Sequence, residues 1–193
     1  APLPIYVDSP LSTNATEVFK QHPECYDREA TAFWREEGDI FGKGYVTYIT
    51  DVGESKALNA RPEPCVILSA SGMCEAGRIC HHLKNNIEDR RNTVVIVGYQ
   101  AQHTLGRRLV DHVEPVKIFG REYALEAEVK VLNGFSAHAD ADDFRRLLGP
   151  LAGSLRAAFV VHGETEQLAA MRDLLRSAGC SRVQAPGPGE TVH

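Results

Sequence analysis

Short apolar runs separated by amphipathic stretches set the pattern of the chain up to His112. Leu3 to Val7 reads as a short buried strand closed by Asp8-Ser9-Pro10. Ala15, Val18 and Phe19 then share one side of a helix, and Pro23 lies beyond its end, where a proline does no harm. Tyr26 to Glu37 predicts a second, less regular helix carrying the only tryptophan, Trp34. After a loop with Gly38, Gly42 and Gly44, Tyr45 to Thr50 alternates like a strand, and Ser55 to Asn59 makes a short helical turn. Cys65 to Leu68 and Thr93 to Val97 are unbroken apolar runs suited to central parallel strands. Each leads into a helical stripe: Ile79, Leu83 and Ile87 after the first, Leu105 and Leu109 after the second. Strand and helix in alternation imply right-handed crossovers and a mostly parallel sheet, hence an α/β fold.

Beyond His112 the pattern changes, and a boundary is placed near residue 113. Val116 to Phe119 and Tyr123 to Leu132 read as two strands around a Gly120-Arg121 turn. Then comes Gly134-Phe135-Ser136-Ala137-His138-Ala139-Asp140, a helix bearing Phe144, Leu147, Leu148 and Leu151 with Asp140 placed to cap it, and an apolar run from Ala157 ending in Val161-His162-Gly163-Glu164. Two strands joined by that helix would bring His138 and His162 to one sheet edge, the carboxyl edge where open α/β sheets hold ligands. A last helix carries Leu168, Met171, Leu174 and Leu175, is closed by Gly179, and leads to a short strand at Arg182 to Ala185.

Composition narrows the class. With 193 residues, 43% hydrophobic and 24% charged, the chain suits one sizeable core or two small ones. No apolar run approaches the length of a membrane span and no signal-peptide pattern opens the chain, so a cytoplasmic location without membrane contact is expected. The lack of an initiating Met suggests a processed or excised chain. A formal net charge of −5 argues against indiscriminate coating of polyanions. Between Arg78 and Arg108, however, Arg78, Lys84, Arg90, Arg91, Arg107 and Arg108 face only Glu88 and Asp89, a local basic stretch that fits either a guided polyanion or a solvated helix face. The cysteines Cys74 and Cys80 beside His81 and His82 match no zinc-finger spacing, so buried thiols and a solvated histidine pair are expected there.

Five polar or glycine-bearing turns follow predicted strands: Asp8-Ser9, Ser69 to Met73, Gly98 to Gln100, Ser136 to Asp140 and His162 to Glu164. Ser69-Ala70-Ser71-Gly72 leads into a helix, where backbone N–H groups and hydroxyls could hold a phosphate oxygen, although no P-loop lysine or Gly-x-Gly-x-x-Gly accompanies it. Each of His138 and His162 is flanked by Ser or Gly and an acidic residue, and imidazole can move protons near neutral pH or ligate a metal.

Together these motifs, with Gly77-Arg78, His82-Leu83, Gly98-Tyr99-Gln100 and Thr104-Leu105-Gly106-Arg107, stand in the order seen in β-CASP proteins of the metallo-β-lactamase superfamily. The chain resembles the bacterial and archaeal RNA-processing members, which are similar to the endonuclease subunit of the cleavage and polyadenylation factor. The resemblance implies a mostly parallel Rossmann-like sheet over 1–112, the β-CASP domain with its motif A side missing. It implies that 113–193 is a β/α segment returning to the metallo-β-lactamase αββα fold. It further implies a ribonuclease that hydrolyses phosphodiester bonds with two zinc ions. In that frame His138 matches the motif B histidine at the scissile phosphate, and His162 matches the motif C zinc ligand. Ser69, Ser71, Gly72, Met73 and Ser136 line the substrate cleft, and Arg78 and Arg107 contact phosphate.

Two departures stand out. His103 occupies a position where relatives often have glycine, and no His-x-His-x-Asp-His motif is present. The expected partners are therefore RNA and a missing amino-side metallo-β-lactamase half, with homodimerisation left open. The chain alone is expected to bind little zinc and to be inactive. Endo- or exonucleolytic action and RNA sequence preference are not set by these motifs. A non-catalytic RNA-binding module, or a nucleotide-binding α/β domain, is the alternative reading.

Overall fold

A computed structural model describes residues 3–42, 44–135 and 138–192. The chain forms two compact units, Ala1–Ser136 and Ala137–His193. In the first, β1 (Ile5–Val7) lies between β2 (Val46–Tyr48) and β3 (Val66–Leu68), all parallel, with Val7 opposite both Tyr48 and Leu68. Around them run α1 (Pro10–Gln21), α2 (Arg28–Glu37) and α3 (Val52–Leu58). Their starts are legible in the side chains. Ser9, Asp27 and Asp51 each accept a backbone N–H three residues on, satisfying donors that a helix start otherwise leaves orphaned. Gly38 closes α2 at a φ of 78°, which a glycine adopts without a Cβ penalty.

Next come α4 (Arg78–Asn86), β4 (Thr93–Ile96), α5 (Leu105–Val110), the antiparallel hairpin of β5 (Val116–Ile118) and β6 (Arg121–Tyr123), and β7 (Glu128–Val131). The core of this unit lies between them: Leu83 and Ile87 of α4, Ile96 of β4, Leu105 and Leu109 of α5, and Val116 and Ile118 of β5. Leu109 and Val116 are wholly enclosed. Burying each such side chain stabilises the fold by about 1.5–3 kcal/mol.

The second unit is smaller. A 3-10 turn at Asn133–Phe135 ends the first unit's described residues, and α6 (Ala141–Ala152), β8 (Ala158–Phe159), α7 (Thr165–Ser177) and β9 (Val183–Gln184) follow. β8 and β9 are parallel, and Ala152, Leu175, Cys180 and Val183 form the core. No helix among the described residues is long and apolar enough to cross a membrane.

The architecture is α/β with mostly parallel pairing, as the alternation predicts, but four local expectations need correction. Neither β3 nor β4 sits centrally: among the described residues β3 pairs only with β1 and β4 only with β7, and Val66, Leu68, Val95 and Val97 are exposed. The run Tyr123 to Leu132 is two strands, because Ala124 to Ala127 leaves the hairpin so that Glu126 and Ala127 can donate to the Ile87 carbonyl. Among the described residues β7 pairs with β4 and β8 with β9, not in the one sheet expected of these two strands. His82, expected in solvent with His81, is buried for the reason given next.

Candidate functional site

The carboxyl end of β1 delivers Asp8 into the interior, where no part of it reaches solvent. An ionised carboxylate there must be matched by donors and charge, and three side chains supply them. The Ser55 hydroxyl donates at 2.6 Å, Arg78 Nη1 donates to Oδ1 at 2.5 Å, and His82 Nε2 lies 2.6 Å from Oδ2. Burial pushes the Asp8 carboxyl up, but the bonds from Ser55, Arg78 and His82 and the Arg78 charge outweigh it and hold the group below the usual carboxylate range. His82 is fixed from its other side, its Nδ1 2.9 Å from Asn59 Oδ1, which also accepts from Asn86. Arg78 further donates to the carbonyls of Ile49 and Thr50 at 3.1 and 2.7 Å. The guanidinium expected at a phosphate is thus engaged inward, and it ties the carboxyl ends of β1 and β2 to the start of α4.

The same edge carries the Ser69–Met73 loop. Ser69 Oγ donates to the Asp8 carbonyl at 2.9 Å, Ser71 Oγ accepts from Ala76 N at 3.3 Å, and Met73 is part-exposed. Gln100, itself buried, clamps this loop to the β4 end: its Nε2 donates to Gly72, Gly98 and Tyr99 carbonyls at 2.9–3.1 Å. Gly106 N donates to Met73 O at 3.0 Å, and the Glu75 carboxylate accepts from Leu105 N. These contacts need two glycines. A Cβ at Gly77, where φ is +84°, would lie 2.4 Å from Ala70 O, and one at Gly106 would lie 1.7 Å from Gln100 Oε1. Arg107 lies within α5, half-exposed, and pairs with Asp111 at 2.7 Å. His103 adopts a φ of 69°, the region that favours glycine, which accounts for the residue type expected there.

The first unit therefore brings Ser69, Ser71, Gly72, Met73 and Arg78 together, with Gln100 and Asp8 behind them. Sequence reasoning placed Gln100 and Asp8 on the edge but missed their work. A polar residue directly after a buried strand was the available signal.

In the second unit His138 stands two residues before Asp140, the N-cap of α6, and His162 two residues before Glu164, the N-cap of α7. Asp140 accepts from Asp142 N and Asp143 N, and Asp143 accepts from Asp140 N, a reciprocal capping box. Those backbone bonds lower the Asp140 carboxyl, against a small opposing effect of burial, with Arg146 and Arg145 adding. His162 holds a left-handed φ of 62° directly before Gly163. Strained residues of this kind cluster at functional sites. α6 and α7 pack on each other, and a Cβ at Gly179, past the end of α7, would sit 3.5 Å from Gly153 Cα, past the end of α6. Their carboxyl ends meet, and each histidine precedes the amino-terminal end of its helix. Both are exposed. Ser136 lies outside the described residues.

Residues 1–109 match the family model of the Beta-Casp domain, and residues 122–186 match that of the Zn-dependent metallo-hydrolase RNA specificity domain. The chain belongs to the β-CASP family. It is 39% identical over 176 residues to ribonuclease TTHA0252 of Thermus thermophilus, which covers 91% of this chain and 40% of that protein. It is 30% identical to transcription termination factor FttA of Methanosarcina mazei, covering 84% of this chain and 26% of the relative, and 29% identical to FttA of Pyrococcus abyssi, covering 98% and 30%. The chain thus spans two fifths or less of the length of these relatives.

Zinc appears in the second family description, and the donors here can be compared with that need. Among the described residues no group of three or more His, Cys, Asp or Glu side chains could hold a metal ion. A catalytic zinc takes three protein ligands and an open position, so this chain's described donors do not make a zinc site. The Cys74–Cys80 segment is no exception. Cys80 Sγ donates to Cys74 O at 3.0 Å, and both thiols are buried.

Proposed function

We propose that this chain is the β-CASP and carboxyl-side part of a zinc-dependent ribonuclease that hydrolyses RNA phosphodiester bonds in RNA processing or decay. Residues 1–112 form its β-CASP segment, and 113–193 return to the metallo-β-lactamase layers. The observation carrying the reading is the pair of exposed histidines before the starts of two packed helices, together with a strained backbone at His162. Imidazole can move a proton near neutral pH or ligate a metal, and both rings lie at exposed positions.

His138 contacts the scissile phosphate or assists the leaving oxygen, and His162 donates one ligand to zinc held mainly by polypeptide outside this chain. Ser69, Ser71, Gly72 and Met73 line the strand's path, and Ser136, two positions before His138 in the sequence, contributes to substrate binding. Arg107 meets phosphate from α5. Arg78 acts from behind by fixing Asp8, and through Asp8 the Ser69 loop. The names of the relatives, a ribonuclease and a transcription termination factor, support an RNA partner.

Metal analysis and RNA cleavage by the purified chain, beside the full-length parent, test this. The chain alone should hold little zinc and cleave nothing, while the parent should hold zinc and cleave RNA. Stoichiometric zinc with cleavage by the 193-residue chain would overturn the reading.

A further inference from the structure

The β5–β6 hairpin turns through Phe119 and Gly120, both at left-handed φ, 49° and 77°. Two-residue turns of this hand favour Asn, Asp or Gly, because a Cβ crowds the following carbonyl. Phenylalanine there is costly, and core burial does not offset the cost, since Phe119 is 61% exposed. The ring stands beside α4 instead. The His81 ring lies 4.8 Å away at a 42° tilt, and Lys84 Nζ is 6.0 Å from the ring centre. Lys117 and Arg121 occupy exposed positions on the hairpin, with Glu122 opposite Lys117.

We propose that Phe119, backed by His81 and Lys84, is a stacking platform for a base of single-stranded RNA. The proposal rests on the RNA reading above and adds a contact remote in sequence from both histidines. An exposed aromatic face accepts any base, and nearby cations draw the phosphates, the combination that single-strand binders use. A duplex, whose base faces are already stacked, does not fit it.

The test uses the full chain at low salt, an end-labelled oligoadenylate, and the same strand carrying one 2-aminopurine, whose emission falls when the base stacks. Wild type should bind and quench. Phe119→Asn suits the turn and should keep or raise the thermal midpoint, yet weaken binding about 5- to 100-fold and remove the quench. Phe119→Trp should retain both. If Phe119→Asn does not fold, Phe119→Leu carries the comparison with the same expected loss. A folded variant lacking the aromatic ring that binds and quenches like wild type overturns the platform and leaves the ribonuclease reading standing. Absence of any binding by wild type overturns the platform, and cleavage by the full-length parent then decides separately whether the RNA reading falls with it.

Discussion

Replacing Arg78 by Met removes the strongest charge partner of a carboxylate that has no access to water. The methionine keeps most of the apolar stem but deletes donors to Asp8 Oδ1 and to the Ile49 and Thr50 carbonyls. Breaking one side of a buried ion pair costs about 3–5 kcal/mol, chiefly because the other charge stays buried without compensation. Ser55 and His82 still reach Asp8, so about 3 kcal/mol, the low end, is expected. That is a large part of the ~5–15 kcal/mol that keeps a domain folded. Urea unfolding of wild type and Arg78→Met at pH 7 reads the difference. Adding Asp8→Asn to Arg78→Met should recover part of the loss, because neither charge then remains unmatched. Acid gives an independent reading. Since Asp8 titrates lower in the folded chain than its ordinary value of 3.8, its contribution is present above that pH and lost as pH falls through the folded value. Asp8→Asn should flatten this part of the acid response. A loss below ~1 kcal/mol for Arg78→Met, with unchanged acid sensitivity in Asp8→Asn, would refute the reasoning.

Other expectations follow from close packing and exposure. Gly106→Ala should destabilise by about 1–3 kcal/mol in urea, since its Cβ would overlap Gln100 and press on Met73 O; a neutral result would mean the Gln100 clamp is not as close as described. In native protein the exposed Cys25 should react with a thiol reagent. Cys74, pushed up to about 12 by burial with Cys80 and Glu75 adding, should stay inert until unfolding, as should the buried Cys80 and Cys180. Leu147, Leu151, Phe159 and Val161 are exposed on the second unit, so light scattering should show concentration-dependent self-association, and a stable monomer would contradict that.

The alternation of apolar runs and helical stripes carried the fold class, because a buried parallel strand must be apolar throughout and its crossover helix must be amphipathic. Asp140 was legible as a cap for the same local reason. What the pattern could not carry was pairing. Nothing in Val94 or Val129 announces that β4 and β7 are neighbours, and β8 chose β9 rather than β7. Such choices are made by long-range packing. The inward turn of Arg78 and the burial of His82 were hidden likewise, since a cation on a helix looks the same in sequence whether it faces water or an enclosed carboxylate. His103 shows the converse: its residue type gave no hint of a left-handed φ, but the motif around it did.

Single-turnover cleavage of a labelled RNA by the full-length parent carrying His138→Ala or His162→Ala bears on the whole reading. Both variants should fold, and each should lose cleavage by at least about 100-fold, the scale on which a positioned acid–base group acts, with His162→Ala also losing zinc. Cleavage at the wild-type rate in both would remove the two histidines from the chemistry and the proposed function with them.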